Sequence, residues 1–231
     1  MSQAGAARRW RLPLLTCLFA SLPLQADQPA QPGFVYLDQI LKSARYDVRY
    51  AGNDNFVGAP IDGYLVARII LTEPAARALE NVEHDLALSG LSLKIFDGYR
   101  PQRAVEAFRR WAATSQDTQQ KARYYPDQDK RTLFRDGYIA QHSAHSRGST
   151  VDLTLVETRT GEELDMGSRF DFFGPISRHG TALITPTQTR NRETLRQAML
   201  RHGFEPYAAE WWHYRLKAEP YPSRYFDFPV R

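Results

Sequence analysis

Ser143-Ala144-His145-Ser146-Arg147-Gly148-Ser149-Thr150-Val151-Asp152-Leu153-Thr154-Leu155 carries two patterns at once. Its second half alternates, with Val151, Leu153 and Leu155 on one side and Asp152 and Thr154 on the other, the period of a β-strand that presents an acid on its second face. Its first half places an imidazole seven residues before that acid, with Gly148 between them to allow a tight turn. A His and an Asp at this spacing also arise by chance, and a lone strand Asp ordinarily faces solvent. The segment therefore gains chemical meaning only from partners elsewhere in the chain.

Outward from this stretch, strand and helix patterns mix without a βαβ rhythm. Tyr46, Val48 and Tyr50 alternate with Arg45, Asp47 and Arg49, which predicts a strand over 45–50; Gly52-Asn53-Asp54-Asn55 is turn chemistry, and Val66, Ile69 and Ile70 predict a second strand over 64–71. From Thr72, with Pro74 in the first turn, Leu79, Val82 and Leu86 recur at helical spacing until Gly90. Leu91, Leu93 and Ile95 alternate again and stop at Asp97-Gly98-Tyr99-Arg100-Pro101, before a helix carrying Val105 and Phe108. Residues 114–138 read as a long polar surface loop, 192–201 as a third helix, and Glu210 to Leu216 as an aromatic-rich last strand. These patterns predict one α+β domain, a central antiparallel sheet flanked by helices.

The 231 residues are 42% hydrophobic and 24% charged, as for one globular domain with a sizeable core. Arg8, Arg9 and Arg11 precede an apolar run from Leu12 to Leu24 that ends at Gln25-Ala26, the layout of a signal peptide. That run is shorter than the roughly 20 residues of a permanent span, so the expectation is an exported chain, periplasmic or secreted, without a stable membrane anchor: leader 1–26, catalytic domain 27–231. Without the leader's three arginines the net charge falls from +4 to +1. No block of Lys and Arg interleaved with aromatics remains, which argues against nucleic acid as a partner. Cys17, the sole cysteine, leaves with the leader, so any metal must be held by His, Asp or Glu. Nothing in the sequence sets an oligomeric state.

A catalytic zinc site takes three protein ligands and keeps one position open. With thiols excluded, the third ligand beside His145 and Asp152 should be another His near a carboxylate, and Glu210 with His213 supplies that pairing. The bland reading of Glu210-Trp211-Trp212-His213-Tyr214 is a packed core strand, which accounts for the tryptophans but not for the acid or the imidazole. In an ideal strand residues 210 and 213 point to opposite faces, so Glu210 must lie at a bend or bulge. Arg100, at a strand-to-helix junction, could oppose the negative charge that amide hydrolysis builds on a carbonyl oxygen; its bland reading is a surface salt bridge. The other histidines, His84, His142, His179 and His202, receive no role.

These residues resemble the VanX-type D-alanyl-D-alanine dipeptidases, within the zinc D-Ala-D-Ala metallopeptidase and hedgehog-like fold. The likeness runs from about Phe34 to Arg231 through ordered blocks: Tyr50-Ala51 with Asp54-Asn55-Phe56, Asp97 to Pro101, Ser143 to Leu155, Met166 to Phe172, Glu210 to Tyr214, and Tyr225 to Pro229. The family pattern S-x-H-x-x-G-x-A-x-D falls on Ser143, His145, Gly148 and Asp152, and its E-x-W-H-like ending on Glu210, Trp212 and His213. The resemblance implies one zinc per chain on His145, Asp152 and His213, Glu210 as general base and Arg100 as oxyanion stabiliser. It further implies Tyr50 and Asp171 at the ammonium end of a small dipeptide substrate and Ser143 near its carboxylate. Thr150 stands where the family usually has Ala, and the leader departs from the family's best-known, cytoplasmic members. Three rivals remain: a murein D,D-carboxypeptidase or endopeptidase using the same metal site, a non-haem Fe(II) centre on the same three ligands, and a binding module without hydrolysis.

Overall fold

The computed structural model describes residues 28–114, 118–133 and 142–231, together with 1 and 135. Apart from Met1, the leader read over 1–26 lies outside the described residues. Among the described residues seven strands form two sheets. β1 (Phe34–Tyr36) pairs antiparallel with β3 (Ile70–Thr72) in a small sheet. A five-stranded sheet runs in the order β2-β4-β5-β7-β6, from β2 (Arg45–Tyr46), β4 (Leu91–Asp97), β5 (Thr150–Glu157), β6 (Phe204–Pro206) and β7 (His213–Leu216). All its pairs are antiparallel except β2 with β4, which is parallel. The helices are α1 (Glu73–Ala87), α2 (Gln102–Ala113), the single turn α3 (Lys121–Tyr124) and α4 (Pro186–Arg201). The expected α+β domain is the observed one.

α1 begins where Thr72 closes β3, and Leu79, Val82 and Leu86 are buried along its inner stripe. Burying each such side chain contributes roughly 1.5–3 kcal/mol, enough to seat α1 against β4 and against α4. α4 starts a turn and a half earlier than the apolar spacing indicated. Thr185 and Gln188 form a capping box that satisfies the helix's first N–H groups, with Pro186 inside it, so the polar first turns are helical without an apolar stripe.

Three expected elements differ. The strand expected over 45–50 stops at Tyr46, because a 3-10 turn at Arg49–Ala51 swings Tyr50 into the core, where its ring meets Phe108 at 5.1 Å and Phe56 at 6.1 Å. The strand expected over 64–71 shrinks to Ile70–Thr72, and Tyr64 instead bridges to Val230 of the C-terminal tail. The polar stretch after α2 is no plain surface loop: among its described residues Tyr124, Tyr125 and Leu133 are buried, Tyr125 edge-on to Trp111. Residues 115–117, 134 and 136–138 of that stretch lie outside the described residues.

Candidate active site

Three neighbouring strands bring an acid, an acid and an imidazole into one row. Asp152 on β5 pairs directly with His213, the first residue of β7, and on its other side with Asp97, the last residue of β4. Residues directly opposite one another across antiparallel strands share a face. Above this row His145 hangs from a 3-10 turn at Ala144–Arg147. Ser143 caps that turn by accepting a bond from the His145 N–H, and Gly148 ends it at φ +84°. The turn is pinned to the small sheet: Thr72 N–H donates to Gly148 O at 2.7 Å, and a Cβ on Gly148 would stand 2.1 Å from the ring of Phe34.

The donor atoms of His145, Asp152 and His213 lie within 4.8 Å of one another. His145 Nδ1 is 2.7 Å from the carbonyl of Gly98, which can only accept, so the ring's hydrogen is on Nδ1 and the Nε2 lone pair faces the cluster. That lone pair is 3.2 Å from Asp152 Oδ2 and 3.2 Å from His213 Nδ1. Asp152 Oδ1 is buried and has no hydrogen-bond partner among the described residues, although His213 Nδ1 approaches to 3.0 Å without the alignment of a bond. Acceptor atoms crowded in a dry site repel unless a cation stands among them, so this donor set fits a metal ion. The charge states agree. Burial alone would raise Asp152, but the adjacent imidazoles hold it below the usual carboxylate range, and burial with the charges of His145 and Arg100 lowers His213, favouring the carboxylate and neutral imidazole that metals bind.

Glu210 sits not in β7 but in the turn before it, where its N–H donates to Tyr207 O and its carbonyl accepts from His213 N–H. The bend that the alternation demanded is this turn. The adjacent Trp211 and Trp212 both bury, their rings perpendicular, Trp211 donating to Ser168 Oγ and Trp212 packing on Phe170. Glu210 Oε2 comes within 3.6 Å of His213 Nδ1. Burial, then the charges of Asp152 and Asp171, raise the Glu210 carboxyl well above its ordinary range, with Arg100 opposing.

Arg100 follows β4, its guanidinium held by Asp97 Oδ2 through Nε at 2.9 Å and Nη2 at 2.8 Å, with Nη2 also 3.4 Å from Asp152. Its side chain is 13% exposed, so it is not the surface salt bridge of the bland reading. Asp97, wholly buried and also accepting from Tyr64 Oη at 2.7 Å, was missed from sequence. Simple alternation puts it on the face of Leu93 and Ile95, but the register slips between Ile95 and Asp97 and turns it toward Asp152. Across the cavity Tyr50 Oη donates to Asp171 Oδ2 at 2.8 Å. Asp171 has φ +60°, the sole non-glycine positive φ among the described residues, and it occupies a cavity wall, where backbone strain of this kind tends to concentrate. Burial and the Asp152 charge push its carboxyl up to about 8.

His145, Asp152, His213, Glu210, Arg100, Tyr50, Ser143 and Asp171 all line one cavity of about 270 Å³, near the lower end of the size range of small-molecule sites. His142, given no role from sequence, lines it too.

A family model described as D-ala-D-ala dipeptidase matches residues 30–231. The chain belongs to that family. It is 47% identical over 199 residues to the D-alanyl-D-alanine dipeptidase of Enterococcus faecium, covering 86% of this chain and 98% of that protein. It is 45% identical to the D-alanyl-D-alanine dipeptidase of Streptomyces coelicolor, over 85% of this chain and 98% of the relative. With the Escherichia coli protein of the same name it shares 35% identity, over 81% of this chain and 87% of the other. The likeness drawn from the sequence blocks is thus one of family membership, and the D-Ala-D-Ala dipeptidase family match spans every residue of the cavity described above.

Proposed function

We propose that this protein hydrolyses the dipeptide D-alanyl-D-alanine to two D-alanines, with one zinc ion per chain held by His145, Asp152 and His213. The observation that carries the reading is the convergence of two imidazoles and one carboxylate beside the unligated carboxylate of Glu210, in a small cavity of a chain 47% identical to a named D-alanyl-D-alanine dipeptidase. Zinc, when bound, supplies a Lewis acid that acidifies water and polarises the scissile carbonyl.

Glu210 accepts a proton from the attacking water at its carboxylate and returns it to the departing amine nitrogen. Burial and the neighbouring acids raise its proton affinity, which favours its accepting the proton. As water adds to the carbonyl carbon, negative charge gathers on the oxygen. Arg100, fixed by Asp97 and therefore needing no rearrangement, opposes that charge. Asp171, oriented by Tyr50, receives the substrate's ammonium group, which supplies the positive charge that the buried carboxyl lacks in the free site. Ser143 lies on the wall that faces the substrate's carboxylate end. Export of the chain belongs to this reading: the family match starts at residue 30, and the 29 residues before it contain the leader-like arginines and apolar run. N-terminal sequencing of protein recovered from the cell envelope checks the cleavage after Ala26.

Substitution separates the assigned roles. Glu210→Ala should retain zinc and lose turnover by about 100-fold or more, the range of a positioned proton-transfer group, whereas His213→Ala should lose the metal. Undiminished turnover in Glu210→Ala removes it from the reaction. Cleavage of a pentapeptide stem as fast as free D-Ala-D-Ala would favour the murein carboxypeptidase alternative.

A further inference from the structure

A second permanent cation lines the cavity and has no part in the reaction as described so far. Arg147 ends the turn that carries His145, is 8% exposed, and borders the cavity from the same turn as Ser143. Its backbone has little freedom, since Gly148 follows at positive φ with Phe34 filling the space behind it. Nε and Nη2 donate to the two oxygens of Glu219, each at 2.9 Å. One edge of the guanidinium is thereby fixed. The Nη1 end makes only a long contact, 3.4 Å to Tyr225 Oη, among the described residues. Glu219 also accepts from Arg215 Nη1 at 3.3 Å, while Arg215 is paired through Nη2 with Glu205 at 2.9 Å, so Arg147 shares its carboxylate with a second guanidinium. Arg100, the other arginine of the wall, is committed to Asp97 and Asp152 beside the ligand cluster.

We propose that Arg147 recognises the C-terminal carboxylate of the substrate, making the site selective for a free dipeptide charged at both ends. The proposal rests on the dipeptidase reading above. A planar guanidinium held along one edge presents its remaining N–H groups to a carboxylate without losing further rotamer freedom. A largely buried ion pair is weak support for stability on its own, whereas a cation in the cavity wall complements the carboxylate end of a zwitterion whose ammonium is met by Asp171. A peptide extended beyond the second residue, or one ending in an amide, offers no negative charge at that point.

The test compares kcat/KM for D-Ala-D-Ala and for D-alanyl-D-alaninamide in the full, zinc-loaded enzyme, as wild type, Arg147→Met and Arg147→Lys. Wild type should prefer the acid by at least about tenfold, the scale of a charge-assisted contact. In Arg147→Met the acid should lose that advantage mainly through KM while the amide changes little, so the ratio approaches one. Arg147→Lys, which keeps the charge but not the planar fork, should fall between them and carries the test alone if Arg147→Met does not fold. A purely structural Arg147 would slow both substrates equally, and an unchanged acid-to-amide ratio in either variant overturns the proposal. A wild type that cleaves neither substrate while retaining zinc sinks the dipeptidase reading itself.

Discussion

Asp97 and Asp152 stand opposite one another on β4 and β5 only because the register slips at Phe96. Without that slip Asp97 would face the side of Ile95, and Arg100 would lose the carboxylate that holds two of its nitrogens. The irregularity thus converts a strand end into a mount for a guanidinium beside the candidate metal ligands, in keeping with the tendency of bulges to re-aim side chains next to active sites.

Asp97→Asn should therefore lower kcat about 100-fold, the scale on which a misplaced stabilising group affects rate. Zinc content should stay near that of wild type, because His145 keeps its bond to Gly98 O. Metal analysis alongside steady-state kinetics checks both halves; loss of zinc would instead make Asp97 part of the ligand scaffold.

Asp171 predicts a pH dependence of stability with a definite sign. Its carboxyl is pushed up to about 8 by burial and by Asp152, against about 3.9 in an unfolded chain. The folded state then binds more protons than the unfolded state between these values, so the contribution is fully present below about pH 4 and is lost as pH rises through about 8. Asp171→Asn has no such titration. In metal-free protein, denaturation midpoints from pH 5 to 9 should fall more steeply for wild type than for the variant, and the variant should be the more stable at pH 9. Its KM for the dipeptide should rise at the same time.

Thr150 gives a prediction unrelated to catalysis. Its side chain is wholly buried on β5 and its hydroxyl has no hydrogen-bond partner among the described residues. Thr150→Val keeps the branched shape and removes the unsatisfied group, whose desolvation costs about 1–3 kcal/mol, so the melting temperature should rise by several degrees. An unchanged or lower melting temperature would mean that the hydroxyl is satisfied in solution, by water.

Much of this arrangement was readable before coordinates. α1 follows from Leu79, Val82 and Leu86 at helical spacing, and β5 from Val151, Leu153 and Leu155. The displacement of Glu210 from the last strand follows from parity alone, since it and His213 cannot share a face of one regular strand. What escaped the sequence depends on tertiary pairing. Tyr50 leaves its strand because an aromatic pocket built by the nearby Phe56 and by Phe108, 58 residues downstream, takes its ring. Tyr64 is drawn from the expected second strand by Val230 and Asp97, 166 and 33 residues away. Asp97 stayed hidden because a register slip leaves no mark in hydrophobic alternation, and Arg147 because its partner Glu219 is 72 residues downstream.

The most direct measurement is anomalous diffraction at the zinc edge from crystals of the zinc-loaded protein. The account predicts one strong peak per chain, enclosed by His145 Nε2, Asp152 and His213 Nδ1 and adjacent to Glu210. A peak elsewhere, or a zinc-replete active enzyme with those three side chains turned away from the ion, would contradict it.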